Sequence, residues 1–494
     1  MRFKQCLVIF CFIGALSLGP TVNLSAEDSS QPSERSLSLI DCIEFAINNS
    51  FEVKLARLDF LISRTDITAA QAVYDIVISA DMSYEKDQRQ KRSVLSSGSE
   101  TASSYSVDAT KTLPSGTELT LSLSDTRDWA DSSAYITENP AHTAEASIVA
   151  RQPIGKNKFG YIDQRDISVT ELAVANADLD TKERIENLLA EVEKAYWQWT
   201  FFKRSLHIHQ QILDRAKELQ QVNSKNFELG RIEKADSLAS QANVLIREKD
   251  LALVENQYRQ AEEAIKLLIN LEADQRIHPA EDLQHQKIEV DLEKCLNAAF
   301  VNRRDYQQAK REIEKKELTL ETKANALWPE VDLVASLAAN GVHSEFGHAM
   351  SNIISDDNNS KFYTGIEFSM PLENSTAKSE HDKARHTKQK ALVTLKDVER
   401  TIVTEAGNAF RDYQTFEVNF AKLEEAARLQ HEKLKEEEQR FHSGRSNTKT
   451  LIDYQNDYLI AQLVVAQGIV DLQVARVNLE KALNSILEKY TGLL

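Results

Sequence analysis

The chain has 494 residues, yet it contains only 14 glycines and 8 prolines. A chain of this length ordinarily divides into about three domains of roughly 150 residues each, but the residues that would punctuate such domains are scarce. Alanine, glutamate, lysine, leucine and glutamine dominate two long stretches, which indicates long helices instead. The formal net charge of −17 argues against a nucleic-acid partner.

Residues 1–26 have the form of a secretory signal peptide. Arg2 and Lys4 precede an apolar stretch, residues 6–19, and small residues suited to cleavage follow at 24–26. The apolar stretch is shorter than the about 20 residues that a membrane-spanning helix needs. Loss of the leader's two basic residues leaves 57 basic against 76 acidic side chains, a net charge of −19.

We expect the mature chain to be exported without a lipid anchor or a spanning helix. Neither cysteine of the leader follows the small residue that precedes a lipid-modified cysteine. No later segment approaches the length and apolarity of a spanning helix, so the sequence predicts a mature chain that has none.

The chain also repeats itself. Residues 227–231 read Phe-Glu-Leu-Gly-Arg, and residues 441–445, 214 positions later, read Phe-His-Ser-Gly-Arg. Apolar residues spaced seven apart on both sides of these segments map onto one another at the same shift. The repeat predicts two long helical hairpins, at about 159–272 and 376–488. The first helix of each hairpin would extend about 100 Å at 1.5 Å per residue.

Short helices open each half, at about 37–75 and 290–327, and they repeat at a different shift, 253 residues. The mature chain therefore divides into a first structural repeat, residues 27–275, and a second, residues 276–494.

The two cysteines of the mature chain, Cys42 and Cys295, occupy matching positions in the two repeats. We interpret them as small residues that pack helices together. A disulfide between them would need Cα atoms within about 7 Å, a distance that the sequence leaves open.

Segments with the alternation typical of strands lie between the short helices and the hairpins. The first repeat has four such runs within 76–152, and the second has two within 330–370. Residues 113–116, Leu-Pro-Ser-Gly, predict a tight turn between the middle two runs of the first repeat. A polar loop around Asp356 and Asp357 separates the two runs of the second repeat.

The apolar stripe of each long helix is wide. Leu188 and Leu189 are apolar side by side, and so are Ala195 and Tyr196. Such a helix presents apolar side chains to neighbours on two sides. Helices that pack on both flanks and keep polar groups on their other two faces close naturally into a hollow cylinder.

These features together resemble the TolC-like outer membrane efflux proteins, or outer membrane factors, over nearly the whole mature chain. Residues 37–50 are similar to the opening helix of that family, which ends in paired asparagines. The segments around Pro153 and Pro371 resemble its strand-to-helix hinges, in which a proline ends a strand and an apolar residue follows. The Phe-x-x-Gly turns at Gly230 and Gly444 resemble its periplasmic tips.

The resemblance implies a mainly α protein with a membrane β-barrel portion. Three copies of the chain would build one α-helical tunnel from the duplicated hairpins and join it to a β-barrel in the lipid of the outer membrane. This homotrimer would be the exit duct of a tripartite efflux or type I secretion system. Its partners would be a periplasmic adaptor and an inner-membrane transporter, and it would need no cofactor and perform no catalysis.

The strands are needed for a physical reason. An exported chain without a spanning helix can cross a lipid membrane only by closing strands into a barrel, because open backbone groups in lipid each cost several kcal/mol. Strands pooled from three chains give a barrel wide enough to conduct. The family usually has four strands per chain, so the extra pair around Pro114 either enlarges the barrel or forms an extracellular hairpin above it.

The resemblance also places a gate at the periplasmic tips, where acidic residues after the turn glycines line or brace the closed aperture. The matching positions are Asp236, Thr450 and Asp453. Three copies of Asp453 around a threefold axis would repel one another and make the ring sensitive to cations and pH. The alternative is that both aspartates are solvated residues, favoured near helix N-termini by the helix dipole.

Other residues at the tips are candidates for contacts between helices or between proteins. Arg445 is a candidate partner of Asp236 between the two hairpins. The candidates for docking a periplasmic adaptor are Phe227, Gly230, Arg231, Phe441 and Gly444. A glycine ends a helix cheaply by adopting a positive φ angle, so the two glycines alone indicate only a turn.

Two other classes of protein fit the sequence less well. A periplasmic coiled-coil adaptor or structural tether would explain the long helices and the export, but not the alternating strands that end in prolines. An exported hydrolase lacks a supporting set of residues, since His381, Asp382 and His386 do not have the spacing of a zinc site. The sequence does not identify the cargo, which in such ducts is a drug, a metal or a protein.

Overall fold

The computed structural model describes residues 35–89, 99–131, 138–285, 287–355 and 358–493. The predicted signal peptide and the Asp356-Asp357 part of the polar loop lie outside these residues. In chain order the helices are α1 (Leu39–Asn49), α2 (Phe51–Gln71), α3 (Tyr161–Glu228), α4 (Lys234–Ile269), α5 (Leu292–Asn302), α6 (Arg304–Asn325), α7 (Phe346–Ser355), α8 (Ser375–His442), α9 (Thr448–Ala482) and α10 (Ile486–Lys489). The strands are β1 (Arg35–Leu37), β2 (Ile76–Asp87), β3 (Glu100–Thr112), β4 (Glu118–Ala130), β5 (Ala141–Pro153), β6 (Ile277–Pro279), β7 (Glu330–His343) and β8 (Ser360–Ser369).

The helices occur as two matching sets. α3 and α8 have 68 residues each and begin 214 positions apart. α1 and α5 have 11 residues each and begin 253 positions apart. The internal duplication predicted from the sequence is confirmed.

The two long helices run the full length of the helical part, about 100 Å at 1.5 Å per residue. α4 and α9 return from the hairpin turns and pack along the nearer halves of α3 and α8. α2 and α6 pack along the other halves, next to the strands. Each long helix is therefore flanked by a shorter helix along each of its two halves.

The largest apolar core lies about midway along α3. Trp199 is fully buried there, in one cluster with Ile43 of α1 and Ile265 of α4. The adjacent residues Leu188 and Leu189 are both buried, so the apolar stripe of α3 is wide, as predicted. α1 starts at this core with a capping box, in which Ser38 and Asp41 each accept the other's backbone N–H.

Two buried glutamates of α3 hold the C-terminal segment and the second repeat against this core. Glu186 contacts Arg304 of α6 and accepts the backbone N–H of Ile486. Glu193 accepts a 2.7 Å hydrogen bond from the hydroxyl of Tyr490. Burial raises the pKa of both carboxyls.

Cys42 and Cys295 are both free and buried, each in the core of its own repeat. Burial raises the pKa of the Cys42 thiol to about 12. The thiolate is the reactive form of cysteine, so a thiol with such a pKa serves packing and not chemistry.

α9 corrects one expectation, because it is long and apolar enough to span a membrane by length and composition. The expectation that no mature segment has these properties was wrong. In the fold α9 packs between two neighbours, with Leu459 against Ile208 of α3 and Leu472 against Phe410 of α8. A helix that packs on two flanks is apolar around most of its circumference, which gives it the composition of a spanning helix.

Six strands form one antiparallel sheet in the order β2-β3-β4-β5-β7-β8. β1 and β6 form a separate parallel pair beside the apolar core of α3. The first repeat contributes four strands to the large sheet, and the second contributes two. The strands run between two ends of the sheet. We call the end at which β2 begins and β5 and β8 finish the helix end, and the opposite end the far end.

The β3–β4 turn lies at the helix end of the sheet. Gly116 has a φ of +70°, and a Cβ at this position would overlap the backbone of Gly160 at the start of α3. Gln164 of α3 also donates a 2.8 Å hydrogen bond to the carbonyl of Pro114. The pair β3–β4 is therefore an integral part of the six-stranded sheet. The alternative, in which this pair forms an extracellular hairpin beyond the far end of the sheet, is wrong.

The chain bends between sheet and long helix at asparagines with a positive φ angle. Pro153 is the last residue of β5, and Asn157, with φ 58°, follows it. Pro371 lies two residues after β8, and Asn374, with φ 46°, is the N-cap of α8. The asparagine side chain tolerates this left-handed conformation because it bonds locally, and that of Asn157 accepts the backbone N–H of Ile162.

α7 occupies part of the segment that the sequence predicts as a polar loop. It packs on β5 and β7 near the far end of the sheet. Ala349 of α7 is fully buried, and a Cβ on Gly341 of β7 would overlap its carbonyl oxygen. The glycine in β7 therefore lets the helix lie directly on the strand.

Candidate functional site

One face of the six-stranded sheet is apolar and exposed. The register places Ile78, Ala109, Leu121, Ile148, Leu337 and Phe362 in one row across all six strands. Ile78 and Phe362, at the two edges, are 71% and 72% exposed. A continuous apolar surface of this kind on strands of 10 to 14 residues matches a surface that faces lipid.

The opposite face of the sheet is polar and predominantly acidic. Its acidic side chains, read from the strand alternation, are Asp81, Glu85, Asp87, Glu100, Asp108, Glu118, Asp128, Glu145, Glu330, Asp332 and Glu367. Its basic side chains are Arg151 and Lys361. Arg151 of β5 is neutralised by carboxylates of β7 and β8, at 2.9 Å from Asp332 and 2.6 Å from Glu367.

α7 covers a pair of polar side chains that lies on the apolar face. Asp125 of β4 and His142 of β5 lie on the apolar face by register, and their side chains are 2.8 Å apart. Phe346 of α7 places its ring edge-on to His142, with 5.9 Å between the ring centroids. The helix thus stands between this polar pair and the surroundings of the sheet.

At the other extreme of the molecule, both hairpins turn with the same cap. Gly230 and Gly444 have φ angles of +68° and +69°. In each turn the glycine N–H bonds the carbonyl of the preceding Phe, and the following arginine N–H bonds a carbonyl five residues back. This is the Schellman arrangement, and it explains the glycine of the repeated Phe-x-x-Gly-Arg pattern.

The predicted acidic candidates sit on different parts of the two tips. Asp236 is half-buried in the first turn of α4. Asp453 is exposed on α9 and forms a 3.0 Å ion pair with Lys449 of the same helix. Thr450 serves the N-cap of α9, since its backbone N–H and its hydroxyl both bond the Asn447 side chain.

The remaining tip candidates also differ between the two hairpins. Phe227 is 42% exposed, whereas Phe441 packs on the cluster of Leu219, Leu434 and Leu451. Arg231 and Arg445 are exposed. Within one chain Arg445 and Asp236 do not form an ion pair, although the structure describes both residues.

Two contacts that the sequence did not predict join the hairpins of one chain. The side-chain amide of Asn223 in α3 donates a 3.1 Å hydrogen bond to the hydroxyl of Thr448 in α9, and both residues are buried. Arg247 of α4 donates a 3.2 Å hydrogen bond to Asn456 of α9. We call these two contacts the polar seam.

Arg247 is unusual because it is only 7% exposed. Burial lowers the pKa of its guanidinium, and Asp250, 3.8 Å away, partly offsets that effect. A signal for the seam exists in the sequence, where Asn223 continues the core spacing of Ile212, Ala216 and Leu219. A polar residue at a core position indicates a specific partner.

Comparison with known proteins agrees with this architecture. The family model for outer membrane efflux proteins matches residues 100–271 and 295–485, more than half of the chain. No curated protein matches the chain at a significant level.

Solved structures similar to this chain cover nearly all of it. A membrane protein from Pseudomonas aeruginosa is 18% identical, with a TM-score of 0.67, over 90% of this chain and 93% of its own. The CmeC outer membrane channel of Campylobacter jejuni is 11% identical, with a TM-score of 0.67, over 97% of each chain. The open-state MtrE outer membrane channel of Neisseria gonorrhoeae is 16% identical, with a TM-score of 0.66, over 91% and 89%.

A two-faced sheet continuous with paired hairpins about 100 Å long defines the wall of a membrane channel. The chain belongs to the outer membrane efflux protein family, and it forms an outer-membrane channel through which exported substrates leave. The resemblance seen in the sequence is confirmed. Members of this family are transport channels, and the structural similarities, all below 25% identity, support the fold itself.

Proposed function

We propose that three copies of this chain form a passive exit duct, which takes substrate from an inner-membrane transporter and a periplasmic adaptor to the exterior. The observation that carries the proposal is the continuity of the two-faced sheet with α3 and α8. One chain thereby provides both a membrane segment and a tunnel segment long enough to reach far into the periplasm. The energy for transport comes from the transporter.

The need for several copies follows from the sheet. Six strands cannot close into a barrel wide enough to conduct, and within the described part of the chain the outer strands β2 and β8 each have a neighbouring strand on one side only. The apolar face would lie against lipid, and the acidic face would line the pore. Three copies related by a threefold axis close the ring with one repeated interface.

The gate of the proposed duct lies at the hairpin tips. Three copies bring six turns around one opening, and the lumen candidates are Asp236, Asp453, Arg445 and Thr450. Asp453 is the best placed of these to face cations because it is exposed. The polar seam holds the two hairpins of each chain together, so opening that separates them must break it.

The same tips are the proposed docking site for the adaptor. Phe227 and Arg231 are exposed beside Gly230, and Gly444 presents a second turn of the same shape. Phe441 is half-buried and supports its turn from inside. An adaptor that recognises one turn therefore finds a similar backbone at the other.

Membrane fractionation and bilayer recording test this function. The full chain, expressed in a Gram-negative host, is expected in the outer-membrane fraction after cleavage of residues 1–26. Purified protein is expected to run as a trimer that heat dissociates and to conduct ions in planar bilayers. A mature protein that stays soluble without detergent and forms no trimer would contradict the proposal.

A further inference from the structure

On its outer side, neither edge strand of the sheet, β2 or β8, pairs with another strand among the described residues. β2 is exposed on both faces at nearly every residue, and so is β8. Between them the four inner strands are paired on both sides without interruption. In lipid, backbone groups that point away from such an edge must find partners.

The direction of the strands decides which edges meet. β2 runs from the helix end to the far end, and β8 runs back from the far end to the helix end. Pairing β2 of one copy with β8 of the next keeps all helices on the same side of the membrane. Pairing two β2 strands in antiparallel fashion would turn the second copy upside down.

The alternation of the two edges limits the register. Even-numbered residues of both strands lie on the apolar face, as with Ile78, Met82, Ile366 and Phe368. A pairing that keeps one face apolar must therefore oppose even residues to even residues. Each allowed register differs from the next by two residues.

Charge selects one of these registers. Placing Glu85 opposite Lys361 pairs opposite charges on the polar face and puts Tyr84 opposite Phe362 on the apolar face. A shift by two residues in one direction would oppose Asp87 to Lys361 but also Asp81 to Glu367, which have like charge, and a shift by two in the other direction would leave only Ser83 opposite Lys361. The favoured register also sets the start of β2 beside the end of β8 at the helix end.

We propose that this channel opens to the exterior through an eighteen-stranded barrel, closed by three ladders between β2 of one copy and β8 of the next in the Glu85–Lys361 register. The inference rests on the proposed trimer and specifies its contacts. The β3–β4 pair is part of the wall, so each copy contributes six strands. Barrel diameter grows about linearly with strand number, so this exit is roughly one and a half times as wide as a twelve-stranded barrel.

An exit of this width suits bulky cargo. Porins of 16 to 18 strands leave an open aqueous channel. The β3–β4 pair adds a polar lining rich in hydroxyl groups, including Ser106, Thr110, Ser122 and Ser124. The barrel is then not the narrowest part of the path, and selection by size falls to the helical tips.

Disulfide trapping tests the register. The Glu85→Cys/Lys361→Cys variant is expected to form covalent trimers on a non-reducing gel after mild oxidation. Its two cysteines cannot meet within one chain, because they lie on opposite edges of a six-stranded sheet whose strands are about 4.8 Å apart. The native Cys42 and Cys295 are buried, so they do not compete.

The matched control is Tyr84→Cys/Lys361→Cys, which moves one cysteine to the adjacent residue on the opposite face. It is expected to give no covalent trimer. Efficient trapping of the control, or of neither pair in protein that runs as a trimer and conducts, would overturn the ladder and leave the duct function standing. Protein that forms no trimer would overturn both.

The width has its own measurement. In planar bilayers, polyethylene glycols of increasing size, added from the barrel side, reduce conductance only while they enter the pore. The exclusion limit is expected to be that of a porin-sized opening or larger. If polymers much smaller than this limit are already excluded when added from the barrel side, the eighteen-stranded exit is refuted even if the disulfides form.

Discussion

At the scale of single residues, two glycines with a positive φ angle define where each hairpin turns. At both Gly230 and Gly444 an added Cβ would meet no atom within 4 Å. A side chain introduced at either position would therefore clash with nothing, and it would destabilise the turn only because its backbone must adopt the left-handed conformation. This separates the role of glycine in the turn from any role in contacts within the chain.

Gly444→Ala is expected to destabilise the protein by about 1–2 kcal/mol, because alanine disfavours the left-handed conformation. The matched control is Gly407→Ala in the middle of α8, where the new Cβ would make only an ordinary contact with Arg411. Since alanine favours helix, the control is expected to be stabilising by up to about 1 kcal/mol. Thermal unfolding in detergent measures both, and equal effects of the same sign would contradict this account.

Asp453→Ala tests the gate at the scale of one carboxylate. If Asp453 faces the opening, its loss is expected to reduce block by multivalent cations and to raise ion conductance in planar bilayers. Asp457→Ala is the control, because Asp457 lies one turn along α9 and is paired with Lys433 of α8 at 2.7 Å. An unchanged response in Asp453→Ala would show that the carboxylate lies away from the lumen.

The positions of these residues were accessible to sequence reasoning only in part. The shift between the repeats located the turns, and from them Asp236 and Asp453 could be counted. Residue spacing could not identify the partner of Arg247, because that partner depends on how α4 and α9 are rotated about their axes. Thr450, chosen as a lumen candidate, occupies a helix cap with Asn447, and a cap depends on where a helix begins within one residue.

At the scale of elements, the contact between α4 and α9 is the one that a single substitution tests most directly. Arg247→Met keeps much of the side-chain volume and removes the hydrogen bond to Asn456. The other neighbour of Arg247, Asp250 of the same helix, has a side chain that is 26% exposed, so water solvates the remaining carboxylate and little change in stability is expected. The loss of a hydrogen bond to a charged group, about 1.5–3 kcal/mol, is expected to favour separation of the hairpins and so to raise the open probability.

The readout for Arg247→Met is single-channel recording together with thermal unfolding. Arg259→Met is the control, because Arg259 is the same residue type, exposed on the same helix and outside the polar seam. A higher open probability with little change in unfolding temperature supports the role of the seam in closure. A loss of stability without a change in gating would show that Arg247 only supports packing.

α7 gives a second test at this scale. Gly341→Ala would force its Cβ into the backbone of α7, at an expected cost of about 1–3 kcal/mol, and would lift the helix off Asp125 and His142. The trimer is expected to dissociate at a lower temperature. Gly347→Ala, within α7 but with open space around it, is expected to leave that temperature unchanged.

Elements were predicted well where their patterns are long and poorly where they are short. The long hairpins have many repeats of their apolar spacing, and the strands alternate over ten or more residues. α7 has only ten residues and contains glycine and asparagine, so its helical pattern is hard to distinguish from a loop. Its position depends on Gly341, a residue of another element.

At the scale of the whole molecule, the acidic face of the sheet predicts the ion preference of the duct. We expect the reversal potential in a KCl gradient to show cation selectivity. The preference is expected to fall as salt rises, because the screening length drops from about 10 Å at 0.1 M to about 3 Å at 1 M. The triple variant Asp108→Asn, Asp128→Asn, Glu145→Gln is expected to lower the permeability ratio roughly two-fold or more.

Arg151→Gln is the opposing control for this prediction. It removes one of the two cations described on the polar face and frees the carboxylates of Asp332 and Glu367. It is expected to increase cation selectivity. If neither variant alters the ratio in a protein that conducts, the barrel wall does not set the ion preference, and the tips remain the place where it is decided.

The close contact of Gly116 with Gly160 has a mechanical consequence. The β3–β4 turn is seated on the first residues of α3, so the membrane sheet and the tunnel helix are joined at a second point besides the chain itself. If α3 twists when the proposed duct opens, this contact would transmit torque to the strands. Because coupling between two sites is reciprocal, a ligand that holds the strands at the outer rim would resist opening at the inner end.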